Sequence, residues 1–173
     1  MTSETASSRG RPLGKLAATA AVGLLCLGAV SGAAPAASGG PFAGLAGSWA
    51  GSGTVTYASG TKERLRCKVK YDQTNPDSVQ QALRCASDSY KFQINAYYKQ
   101  DGGTLTGHWD ELTMQVSGSI TGTATEGRIT GDLHGPGFAA AVRVDTHGNE
   151  QTVTISASDQ DIRQVTVAVR RNN

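Results

Sequence analysis

Apolar and polar residues alternate with a period of two along most of the chain, starting at Trp49. From Trp49 to Tyr57 one face carries Trp49, Gly51, Gly53, Val55 and Tyr57, and the other Ala50, Ser52, Thr54 and Thr56. From Arg64 to Tyr71 the split is sharper: Leu65, Cys67, Val69 and Tyr71 against Arg64, Arg66, Lys68 and Lys70. The pattern continues through Val79 to Cys85, Tyr90 to Tyr98, Leu105 to Trp109, Val116 to Gly122 and Ile129 to Leu133. It resumes over Phe138 to Val144, Val153 to Ala157 and Val165 to Val169. A period of two places successive side chains on opposite faces of a strand, so about ten half-buried strands are predicted.

Turn-forming clusters separate these runs at nearly even spacing: Ser59-Gly60, Asn75-Pro76-Asp77, Asp101-Gly102-Gly103, Gly135-Pro136-Gly137 and His147-Gly148-Asn149. Short turns between amphipathic strands make antiparallel hairpins, because strands of a parallel sheet are apolar on both faces. The expected fold is all-β, an antiparallel up-and-down β-barrel whose closure removes exposed edges. A two-sheet β-sandwich is the alternative. Lys and Arg alternate with the buried face, which argues against an outer-membrane barrel with its lipid-facing apolar band.

The beginning of the chain follows a different rule. Residues 1–15 are polar and carry Arg9, Arg11 and Lys15, residues 16–30 are uncharged and apolar, and Ala34, Ala36, Ala37 and Ser38 are small. That order is the signature of a secretory signal peptide, expected over residues 1–37. The apolar stretch is short and Ala-rich for a spanning helix, which needs roughly 20 strongly apolar residues. Leu25 before Cys26 is too bulky for lipoprotein processing. Residues 38–46 then read as a lead-in, flexible over Ser38 to Pro41, to a single domain over 47–173. A periplasmic or secreted location is expected.

Removal of the leader changes the charge balance. It takes three of the 16 Lys+Arg and one of the 14 Asp+Glu, leaving 13 of each. A neutral domain lacks the global field that draws a protein to nucleic acid. Two of the three cysteines remain, Cys67 and Cys85. If Asn75-Pro76-Asp77 tops a hairpin, paired positions sum to about 152, which sets Cys67 opposite Cys85 on the inner face. In an oxidising compartment that pair is expected as a disulfide.

The same strand counting puts Trp49, within Gly47-Ser48-Trp49, beside Arg171 at one end of the barrel. A Gly-x-Trp on the first strand and an Arg on the last resemble the calycin superfamily of lipocalins, avidins and fatty-acid-binding proteins. In those folds the two residues close the barrel floor, and the resemblance implies that structural role for Trp49 and Arg171. The longer Gly47-Ser48-Trp49-Ala50-Gly51-Ser52-Gly53 also looks like the opening strand of nitrobindin-type haem barrels. That family uses a histidine near the C-terminus, whereas the last one here, His147, falls in a predicted turn, so no cofactor is carried over.

With a closed floor, the opposite end becomes the mouth, and Tyr57, Tyr90, Trp109, Glu111 and Phe138 are the inward or near-inward residues there. Aromatic side chains with one carboxylate suit a small apolar ligand with a polar anchor. Inner glycines (Gly51, Gly53, Gly107, Gly118, Gly122 and Gly131) are compatible with either a cavity or a flattened, filled core. Outside, Arg64, Arg66, Lys68 and Lys70 head a basic stripe with Lys62, Arg84, Lys91 and Lys99. It is expected either to be solvated or to meet an anionic glycan or lipid headgroup. His108 and Asp110 share the outer face with no third ligand, so no metal site is assigned. No Ser-His-Asp order, phosphate loop or carboxylate pair suggests catalysis. The expected function is that of an exported, non-enzymatic barrel holding a small apolar ligand. The alternative is an envelope-associated interaction or inhibitor protein acting through its outer surface.

Overall fold

Ten antiparallel strands follow one another in sequence and close into a single barrel, each hydrogen-bonded to its chain neighbours and the last to the first. The computed structural model describes residues 39–157 and 161–172, and the expected signal peptide lies outside them. The strands are β1 (Gly47–Tyr57), β2 (Lys62–Asn75), β3 (Ser78–Ala86), β4 (Lys91–Asp101), β5 (Thr104–Glu111), β6 (Val116–Thr125), β7 (Arg128–Gly135), β8 (Phe138–His147), β9 (Glu150–Ser156) and β10 (Ile162–Arg171). The up-and-down barrel is therefore the fold, and the sandwich is not. Among the described residues no helix is long and apolar enough to cross a membrane.

Alternation dictates the layers. On β2, Leu65, Cys67, Val69 and Tyr71 are buried while Arg64, Arg66, Lys68 and Lys70 are exposed. Tight turns set the register. Gly102 and Gly103 both adopt positive φ (54° and 86°) between β4 and β5, a conformation open to glycine that matches the twist of a two-residue hairpin. At the β2–β3 turn the Asn75 side chain accepts the Asp77 amide at 3.0 Å, and the strands below it align Cys67 with Cys85. These two cysteines form a disulfide within the hairpin.

The floor is built from the two ends of the barrel sequence. Trp49 pairs with Arg171 across β1 and β10, and the guanidinium lies 4.2 Å from the indole centroid. Arg171 also donates to the carbonyls of Gly44 and Ala46. Residues Gly40 to Leu45 make two successive turns that push Phe42 and Leu45 beneath the barrel, where both are buried. The Trp49 indole N–H donates to the Leu45 carbonyl at 2.8 Å. The lead-in is thus, from Phe42 on, part of the core. Its two apolar residues stand among Gly and Ala with no period, which is why the sequence pattern does not reveal them.

Candidate functional site

The interior is solid on one side and hollow on the other. Val55, Leu65, Cys67, Cys85, Val167 and Val169 belong to the core packed around β10 and β1, to which β2 and β3 contribute as well as to the hollow. Gly51 and Gly53 belong to this packed side. A Cβ at Gly51 would come within 2.0 Å of the Ala168 carbonyl oxygen, so the glycine allows β1 to press against β10.

Across the barrel a cavity of about 430 Å³ remains, within the ~300–1,000 Å³ range of small-molecule sites. Its walls are Leu83 and Ile94 from β3 and β4, Val116 and Ile120 from β6, Ile129 and Leu133 from β7, Val142 and Val144 from β8, and Val153 and Ile155 from β9. Among the described residues no Asp, Glu, Lys, Arg or His side chain lines it.

Towards the mouth, Trp109 and Phe138 meet edge to face with centroids 6.3 Å apart, and Met114, 71% exposed, marks the rim. The Trp109 indole is fixed in place. Its N–H donates to the Ser119 carbonyl at 3.1 Å, and its ring lies so close to Gly118 that a Cβ there would approach within 2.3 Å.

Towards the floor the lining turns polar. The Tyr71 hydroxyl donates to the Gln151 side-chain oxygen at 3.0 Å, and the Gln151 amide donates to Thr146 Oγ1 at 3.1 Å. Tyr98 donates to Gln81 Oε1. Burial pushes both tyrosine hydroxyls well above their ordinary pKa, so they stay protonated and serve as donors.

Three of the five residues expected at the mouth have other engagements. Tyr57 donates to Glu63 Oε2 at 2.9 Å, and Glu63 Oε1 accepts the Ser89 amide at 2.9 Å. The Ser87 hydroxyl and then the Ser89 amide hold the Glu63 carboxyl at about 2, below the usual carboxylate range. Tyr90 stacks on Phe92 with centroids 6.1 Å apart. Tyr57 and Tyr90 thus tie the β3–β4 loop to the rim of the packed side, and neither lines the cavity.

Glu111, 5% exposed, is not in the cavity lining either. Its carboxylate accepts the amides of Gln93 and Thr113 at 3.0 and 3.1 Å and that of Met114 at 2.5 Å. Burial pushes this carboxyl up, but the Met114, Gln93 and Thr113 amides outweigh it and leave the group below its usual range. It closes the β5–β6 turn. Of the five, only Trp109 and Phe138 line the cavity. Gln81, Tyr98 and Tyr71, which the sequence reading did not place in the site, form its inner end. Only their inward register on β2, β3 and β4 could have pointed to them.

The three histidines lie elsewhere. His108 and His134 are exposed on outward positions of β5 and β7, and His147 is exposed at the end of β8. With no imidazole lining the cavity, the residues present do not fit a histidine-ligated haem. His108 pairs with Asp110 at 3.1 Å, and among the described residues no group of potential ligands could hold a metal ion.

These features define a closed, ten-stranded up-and-down barrel with an apolar cavity. No protein-family model and no curated protein matches the chain. Among solved structures it is similar to Rv2717c from M. tuberculosis, at 14% identity and a TM-score of 0.58, covering 75% of this chain and 93% of that one. It is also similar to a de novo designed fluorescence-activating β-barrel (11% identity, 75% and 94% covered, TM-score 0.44). A third is the S-type phycobiliprotein lyase CPES from Guillardia theta (13% identity, 74% and 88% covered, TM-score 0.46). What is shared with Rv2717c at such identity is the fold.

Proposed function

We propose that this protein is an exported, non-catalytic barrel that holds a small, largely apolar molecule in its interior. The observation that carries this reading is the 430 Å³ cavity, walled by aliphatic and aromatic side chains from strands β2 to β9. A void of that size forfeits the dispersion contacts a filled core would make, and an apolar occupant restores them. Trp109 and Phe138 are the proposed contacts at the entrance. Export agrees with the leader-like composition of residues 1–37 and with a disulfide, which persists in oxidising compartments.

The test is binding of an uncharged solvatochromic dye to the purified protein. A blue-shifted, saturable emission is expected, and Val142→Trp, which fills the cavity, should reduce affinity at least tenfold while leaving the far-UV circular dichroism unchanged. Equal binding by both proteins would overturn the reading.

A second reading rests on the outer surface. Lys68 and Arg84 face each other directly across β2 and β3, and neither they nor Arg64 has an ion-pair partner among the described residues. Like charges directly opposed on a sheet are destabilising unless an anion lies between them. Arg64, Arg66, Lys68 and Lys70 would then meet an anionic glycan or lipid headgroup of the cell envelope. Salt-sensitive retention on anionic vesicles, lost on charge reversal of Arg64, Arg66 and Lys68, is the expected result; no retention at low salt removes this reading.

A further inference from the structure

Resting on the proposal that the cavity holds a ligand, we infer its chemical class: an electrically neutral lipophile carrying a hydrogen-bond acceptor, which docks on the side-chain amide of Gln81. The argument begins with the hydrogen-bond inventory at the inner end of the cavity. Buried there, the Tyr98 hydroxyl keeps its proton and needs an acceptor, and Gln81 Oε1 supplies it. That contact fixes the orientation of the amide, because turning it over would set N–H against O–H and leave the Tyr98 proton without an acceptor. The Gln81 NH₂ group is therefore directed away from Tyr98, and no hydrogen bond from it to another protein group is formed among the described residues. Gln81 lines the cavity and is only partly buried.

The neighbouring polar groups are already committed. Tyr71 gives its proton to Gln151, and Gln151 gives its amide to Thr146. Gln81 thus contributes free donor capacity at the polar end of an otherwise apolar cavity, and a donor in such surroundings selects a ligand with an oxygen to offer. A ketone, ester, amide or quinone oxygen meets that need.

Charge narrows the class further. Arg171, the cation nearest the floor, is turned away beneath Trp49 and held by the Gly44 and Ala46 carbonyls. A carboxylate entering the cavity would lose its hydration and find a neutral amide but no counter-ion, so an ionised fatty acid is selected against. A pure hydrocarbon would fit the walls and leave the Gln81 donors unmet.

Three probes of one chain length separate these cases: 2-dodecanone, dodecane and dodecanoate, each titrated against the full barrel at pH 8 by displacement of the solvatochromic dye. The ketone is expected to bind about fivefold more tightly than the hydrocarbon and at least tenfold more tightly than dodecanoate. Gln81→Met, combined with Tyr98→Phe so that no hydroxyl is orphaned, should make ketone and hydrocarbon bind equally. Tyr98→Phe alone should keep the ketone preference. Dodecanoate binding as tightly as the ketone, or a ketone preference that survives loss of Gln81, would overturn the inference. Hydrocarbon binding without a ketone preference overturns it while leaving the ligand-binding reading intact, whereas no binding of any of the three overturns both.

Discussion

Two consecutive arginines at the end of β10 offer a direct test of how the barrel is closed. Arg171 turns inward, 4.2 Å from the Trp49 centroid, and donates to the carbonyls of Gly44 and Ala46 and, at 3.2 Å, to Asn149. Arg170 turns outward to Glu150 in a pair whose side chains are 79% and 62% exposed. Replacing Arg171 by Met keeps the aliphatic stem but removes a partly desolvated cation–π contact worth about 1 kcal/mol. It also removes charge-assisted bonds to two carbonyls, each contributing ~0.5–1 kcal/mol where water can partly replace them. Arg171→Met should therefore cost about 2.5 kcal/mol, which for a domain of this size lowers Tm by roughly 10 °C. Arg170→Met removes a solvated surface pair and should cost less than ~0.5 kcal/mol. Urea unfolding followed by tryptophan fluorescence gives both numbers, with unchanged slopes indicating that the folded and unfolded states stay comparable. Equal losses for the two arginines, or a loss below ~1 kcal/mol at Arg171, would refute the argument that the floor is latched by its side chain.

Two further outcomes are expected. Reduction of the Cys67–Cys85 bond, which spans 18 residues of sequence, should lower stability by about 3 kcal/mol through the freedom returned to the unfolded chain; comparing urea midpoints with and without reductant measures it, and because neither cysteine lines the cavity, dye affinity should not change. Glu111→Gln should cost about 2 kcal/mol by weakening the amide cradle of the β5–β6 turn. The folded pKa of Glu111 is depressed, so its contribution is complete above the ordinary carboxylate value and is lost as pH falls through the folded one. Stability measured from pH 7 down to pH 3 should therefore fall less steeply in the Gln variant than in the wild type; parallel curves would show that Glu111 does not contribute in this way.

The difference between what the chain announces and what it conceals has a physical cause. Strand number, hairpin order and the Cys67–Cys85 register follow from period-two alternation and turn chemistry, which are local properties carried by consecutive residues. The fate of an inward side chain depends instead on what stands across the barrel. Tyr57 and Tyr98 read alike in sequence, yet one meets Glu63 and the other Gln81. Glu111 looks like a polar anchor near the mouth, but the backbone amides of its own turn reach it first. Which side stays hollow is a property of the closed ring. Gly51 and Gly53 admit the close approach of β10, and Gly118 that of β7 as well as the Trp109 ring, so the same residue type serves the packed side and the mouth and composition alone cannot tell those uses apart.

The latch beneath Trp49 also decides the orientation in which this molecule can be carried. Gly40 lies against Pro76 in the β2–β3 turn, and the Asn172 amide bonds to the Ser48 carbonyl, so both described extremities of the polypeptide emerge from the base. A tag, tether or fused module appended at either one would hang from the sealed pole and leave the aperture around Met114 and Phe138 unobstructed. Immobilised by its tail, the barrel would stand upright like a cup on a stem.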